Sequence, residues 1–124
     1  MLRIGSIVLG VGDLRTSIRF WEAALDYTLR REPADDTWAI LIPRSGEGGQ
    51  LALMKSVTPS QDHPRLHLDL YADDQETEIL RLISLGAHRV EWDSYGVDAD
   101  FVVLADPDGN RFCVIEAPAA TLEP

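Results

Sequence analysis

Leu66-His67-Leu68-Asp69-Leu70-Tyr71 alternates apolar and polar side chains with a period of two, and Asp74 follows three residues later. Period two is the pattern of a strand with one face packed and one face open. An aspartate just ahead of an apolar helical pattern is an N-cap, because its carboxylate accepts from the first free amides of the helix. Sixty-one residues earlier the chain reads Ser6-Ile7-Val8-Leu9-Gly10-Val11, with Asp13 next. Here branched apolar residues crowd both parities, as in a strand covered on both faces. The same offset carries Leu51-Ala52-Leu53-Met54 onto Phe112-Cys113-Val114-Ile115 and Ser6 onto His67. Strand, cap, helix and terminal strand repeating together mark a duplicated unit.

Working outward, Ile18, Trp21 and Leu25 fall at helical spacing after Leu14, with Phe20 and Ala24 widening the apolar stripe and Arg15, Arg19 and Glu22 opposite. Strands are predicted over Tyr27–Glu32, Trp38–Pro43 and, past the turn Ser45-Gly46-Glu47-Gly48-Gly49, over Gln50–Lys55. In the second half Ile79, Leu80 and Ile83 line a helix that Gly86 ends. Strands follow over His88–Trp92, Phe101–Ala105 and Arg111–Glu116, the last two joined by the turn Asp106-Pro107-Asp108-Gly109-Asn110. The expected fold class is α+β: a single domain over 1–124, with a βαβββ module over 3–56, a linker over 57–64, a second βαβββ module over 65–117 and a tail over 118–124.

The composition narrows the function. The chain has 124 residues, 21 acidic against 11 basic side chains, a formal charge of −10 and one cysteine. A lone cysteine forms no internal disulfide and no Cys/His cluster has zinc-finger spacing, which fits a reducing cytoplasm. The acidic surplus repels phosphate backbones and anionic lipid, so neither nucleic acid nor membrane is an expected partner. Its clusters, at Asp35-Asp36, Asp73-Asp74 and Asp93–Asp100, read as loops and helix starts.

Ile7-Val8-Leu9-x-Val11-x-Asp13-Leu14-x-x-Ser17-x-x-Phe20-Trp21-x-x-x-Leu25, then Leu66-His67-Leu68-Asp69-Leu70, then Asp106-Pro107-Asp108-Gly109-Asn110-x-Phe112-Cys113, resembles the vicinal oxygen chelate superfamily, also called the glyoxalase/bleomycin resistance/extradiol dioxygenase superfamily. It looks closest to the glyoxalase-like domain branch, from about Arg3 to Glu116. The resemblance implies two modules forming a curled mixed sheet around one cavity, with helices outside, and pairing into homodimers. It also implies four strand positions that hold one divalent ion in metal-dependent members. These fall on Ser6, Ala52, His67 and Cys113. Alanine ligates nothing, serine is a poor ligand, and a thiolate suits zinc or copper and not the oxygen-seeking ions of most relatives. No cofactor is therefore expected, and His67 and Cys113 are left as weak candidates for a divalent metal.

Alternation places His67, Asp69 and Tyr71 on one side of their strand and Leu66, Leu68 and Leu70 under the helix. His67 and Asp69 are the candidate catalytic pair, since a carboxylate beside an imidazole sets its tautomer or raises its pKa. A satisfied pair that holds the sheet is the structural alternative. Cys113 reads as an inert buried thiol, or as a nucleophile if His67 activates it. Ser6, Trp38, Ala52, His67, Asp69, Tyr71, Trp92 and Cys113 are the expected ligand-cavity residues, with Tyr95 a further aromatic candidate. His63 and His88 are read as solvated. Asp106-x-Asp108-x-Asn110 is spaced like the start of a calcium loop, but Arg111 replaces the required glycine and Ala117 the bidentate glutamate. The expected function is metal-independent binding of a small-molecule ligand in the cavity. The alternatives are a lyase, isomerase or dioxygenase using His67 as ligand or base, and a drug-sequestering protein of the bleomycin resistance type.

Overall fold

Both halves of the chain begin with a strand that runs parallel to the last strand of the same half. In the first, β1 (Ser6–Val11) is followed by α1 (Leu14–Leu25), β2 (Tyr27–Leu29), β3 (Trp38–Pro43) and β4 (Gln50–Lys55), with sheet order β1-β4-β3-β2. In the second, β5 (Asp69–Ala72) is followed by α2 (Gln75–Leu85), β6 (His88–Arg89), β7 (Phe101–Ala105) and β8 (Arg111–Glu116), with order β5-β8-β7-β6. The fold is α+β, two βαβββ modules with one helix and one four-stranded mixed sheet each. The structure, a computed structural model, describes residues 1–118, so most of the expected tail 118–124 lies outside the described residues. The chain divides into two units between Pro59 and Ser60, within the stretch 57–64. Among the described residues no helix is long and apolar enough to cross a membrane.

The duplication extends to single hydrogen bonds. Asp13 accepts from the Thr16 amide at 3.1 Å and Asp74 from the Thr77 amide at 3.2 Å. Those amides hold both carboxyls below the usual range. Val8 pairs with Ala52 in the first sheet, and Asp69 with Cys113, sixty-one residues on, in the second. The helices end differently. Gly86 closes α2 with φ +123, whereas Asp26 closes α1 in the left-handed region at φ 55, where glycine is favoured.

Each sheet packs one face against its own module's apolar side chains. In the first module Leu41, Leu51 and Leu53 are buried, as are Leu14, Ile18 and Trp21 of α1, where Phe20 meets Trp21 edge-on at 5.0 Å. In the second, Leu104, Phe112 and Val114 are buried together with Ile79 and Leu82 of α2. The closing turn is held from within. Asp106, fully buried, accepts from the amides of Asp108 and Asn110, and Gly109 adopts φ +88 where a Cβ would meet Ser60 Oγ at 2.8 Å.

Several expectations are corrected. The first strand is not covered on both faces: it is an edge strand with β4 as its one neighbour in the sheet, and Ile7 and Val8 are 38% and 44% exposed. Leu66 does not pack under the helix. It precedes β5 and is 74% exposed. Leu80 is 58% exposed and Leu82 takes its place, because Ile79, Leu82 and Ile83 form the i, i+3, i+4 stripe while Leu80 lies about 100° away from Ile79. β2, β5 and β6 are shorter than predicted. Trp92 in particular leaves its strand for the following loop.

This helix assignment has a direct stability test. Leu82→Ala is expected to lower the unfolding free energy by about 2–5 kcal/mol, and Leu80→Glu to change it by no more than about 0.5 kcal/mol, both read from urea denaturation midpoints.

Candidate functional site

The second sheet builds a cavity on the face that α2 does not cover. Parallel pairing of β5 with β8 sets Asp69 opposite Cys113, and antiparallel pairing of β7 with β8 sets Val103 opposite Cys113 and Phe101 opposite Ile115. Alternation along β8 therefore brings Arg111, Cys113 and Ile115 to one face. The ladder continues past the start of β5, since the Cys113 amide donates to the Leu68 carbonyl at 2.9 Å. This holds His67 beside Asp69. The loop after β6 supplies Trp92, whose ring lies 4.8 Å from that of His63, and Tyr95, whose hydroxyl accepts from the Val103 amide at 2.9 Å. With the strand residues, His63 and Trp92 surround a half-open space of about 550 Å³, and Tyr95, the further aromatic candidate, is not part of its lining.

The polar chemistry centres on Asp69. His67 Nδ1 lies 3.0 Å from Asp69 Oδ1, so an N–H at Nδ1 donates to the carboxylate. Burial pushes the Cys113 thiol up to about 11, aided by the negative charge of Asp69 and by the hydrogen bond the carboxylate accepts from the thiol. The nucleophilic reading of Cys113 finds no support in this arrangement, because a thiol so shifted stays protonated at neutral pH. Asp69 thus serves both neighbours at once.

Donor atoms of His67, Asp69 and Cys113 lie within 4.8 Å of one another. One nitrogen, one oxygen and one sulfur do not match the all-oxygen ligand set that magnesium or manganese prefers. Of the other positions the resemblance assigned to a metal, Ala52 carries no donor and Ser6 only a hydroxyl. No step is built on a metal here.

Of the expected cavity residues, His67, Asp69, Trp92 and Cys113 line this space. Tyr71 does not. It is exposed and borders a separate groove with Asp74 and Thr77. Ser6, Ala52 and Trp38 belong to the first module, where the register Val8–Ala52 and Ile40–Ala52 puts them on one face of its sheet. His63, read as merely solvated, stacks on Trp92 and joins the wall. Sequence reasoning passed over Arg111 and Phe101. Arg111 stands two residues before Cys113 on one strand, so the alternation that selected Cys113 selects it equally.

The thiol shift yields a kinetic prediction. Alkylation of Cys113 by iodoacetamide is expected to be slower at pH 8 than that of an unstructured cysteine peptide and to accelerate only as pH approaches the value of about 11. Asp69→Asn removes the added negative charge and is expected to move that rise to lower pH. A rate matching the free peptide at pH 8 contradicts the assignment.

The sequence matches the family described as glyoxalase-like domain over residues 6–115. A search of curated proteins finds no match. Among solved structures the fold is similar to a possible glyoxalase from Bacillus cereus, at 19% identity and TM-score 0.66, covering 93% of this chain and 99% of that one. It is also similar to a glyoxalase-related enzyme from Fulvimarina pelagi, at 18% identity and TM-score 0.67, covering 93% and 88%. A glyoxalase/bleomycin resistance protein from Albidiferax ferrireducens T118 is 20% identical, with TM-score 0.62, covering 93% and 98%. At such identities the likeness concerns the fold, while the match along nearly the whole sequence decides membership: the chain belongs to the glyoxalase-like domain family.

Proposed function

We propose that the chain binds a small organic molecule, without a metal ion, in the cavity walled by the second-module sheet. The observation that carries this reading is the space itself: about 550 Å³, within the range of small-molecule sites, with Trp92, Phe101, Val103 and Ile115 as apolar walls and the polar groups of His63, His67, Asp69, Asp100 and Arg111 placed among them. The polar trio of His67, Asp69 and Cys113 is largely satisfied internally, which suits recognition better than nucleophilic attack. Pairing into a homodimer and a cytoplasmic location belong to the same reading. The edge strand β1, with Ile7 and Val8 exposed, is a physical reason for pairing.

The test is calorimetric titration of the full chain, dialysed against EDTA, with small aromatic probes that are neutral, anionic and cationic. One-to-one binding of at least one probe is expected, unchanged when zinc or manganese is added back. Ile115→Trp, checked for folding by circular dichroism, is expected to fill the cavity and abolish that binding. Binding that appears only with added metal, or stoichiometric metal uptake that His67→Ala removes, would overturn the proposal.

A further inference from the structure

Taking that binding reading as its premise, we infer that the cavity selects carboxylates carrying a flat apolar body, with Arg111 as the residue that recognises the anion. Arg111 lines the cavity, and its side chain is only 16% exposed. A guanidinium has five N–H donors in a rigid fork. Among the described residues Arg111 uses it weakly, giving one bond to the Glu91 carbonyl at 3.3 Å and one to Asp62 Oδ1 at 3.5 Å. The Asp62 side chain is 85% exposed, so that partner is hydrated and readily displaced. A mostly buried cation with spare donors favours a bidentate oxyanion over water or a remote surface carboxylate.

Trp92 lines the same cavity, and its indole N–H is buried without a hydrogen-bond partner among the described residues. Being buried from solvent, that N–H does not open onto the space, and a ligand reaches it only if the indole ring turns. Asp69 accepts from His67 at 3.0 Å and from the Cys113 thiol, yet it keeps its negative charge and counts against an anion. The apolar walls and the tilted His63–Trp92 ring pair offer flat surface for the body of the ligand. A second opposing feature is Asp100, which also lines the cavity and is exposed. Its carboxylate favours a cation, and the experiment is designed to let it win.

Benzoate, benzamide and benzylamine share one ring and differ in charge. Titrated in EDTA against the full chain, benzoate is expected to bind about 10- to 100-fold more tightly than benzamide, the worth of a charge-assisted hydrogen bond, with benzylamine weakest. Arg111→Gln is expected to bring benzoate down to the benzamide level and leave benzamide unchanged. Arg111→Lys, which keeps the charge and loses the fork, is expected to fall between them and serves if the glutamine variant does not fold. Asp62→Asn is expected to tighten benzoate by freeing the guanidinium. A benzoate preference that survives in both arginine variants, or benzylamine binding tightest, overturns the inference alone. Failure of all three probes to bind overturns the binding reading as well.

Discussion

Two strands that run parallel cannot be joined by a hairpin; the chain must cross over, and in this protein each crossover begins with a helix. The parallel pairs β1–β4 and β5–β8 are the constraint from which the rest follows. The first strand of each module must hand the chain to an N-cap at once, and Asp13 and Asp74 supply it. The helix then packs on one sheet face, where the buried leucines, Phe112 and Val114 meet it. The other face keeps whatever side chains the register assigns to it. Because that register repeats at one offset, Val8–Ala52 in the first sheet becomes Asp69–Cys113 in the second.

The two copies have consequently taken different chemical characters on equivalent positions. Ser6, Val8, Gln50 and Ala52 correspond to His67, Asp69, Arg111 and Cys113. The first set offers small or apolar surface with two neutral polar groups. The second gathers an imidazole, a carboxylate, a guanidinium and a thiol beside aromatic walls. Asp69, itself exposed, accepts from two neighbours at once, His67 and Cys113. Among the described residues of the second module, Arg111 makes only long bonds and the buried Trp92 indole N–H has no partner, and the proposed recognition draws on the spare donors of Arg111.

Much of this architecture was legible in the sequence because it rests on local periodicity and caps. α1, β3, β4, β7 and β8 begin and end where the apolar patterns and turn residues place them. What escaped depends on neighbours that a single strand does not reveal. Ile7 and Val8 resemble a doubly covered strand in sequence, yet β1 is an edge. Leu80 and Leu82 are equally apolar, and only their angle around the helix separates them. Trp92 reads as strand and instead sits in a loop against His63, a contact between residues far apart in sequence with no periodic signal. Arg111 was overlooked for another reason: a charge at a strand start looks solvated until the loop carrying Glu91 and Trp92 folds over it.

The central claim is that recognition takes place at this one face of the second sheet without a metal. It is tested most directly by a 1H–15N correlation spectrum of the full chain in EDTA, followed as a small aromatic carboxylate is added. The account predicts shifts concentrated on the Trp92 indole N–H and on the amides of Asp69, Val103 and Cys113. A spectrum in which those signals stay still while others move, or in which any response requires a divalent metal, would contradict it.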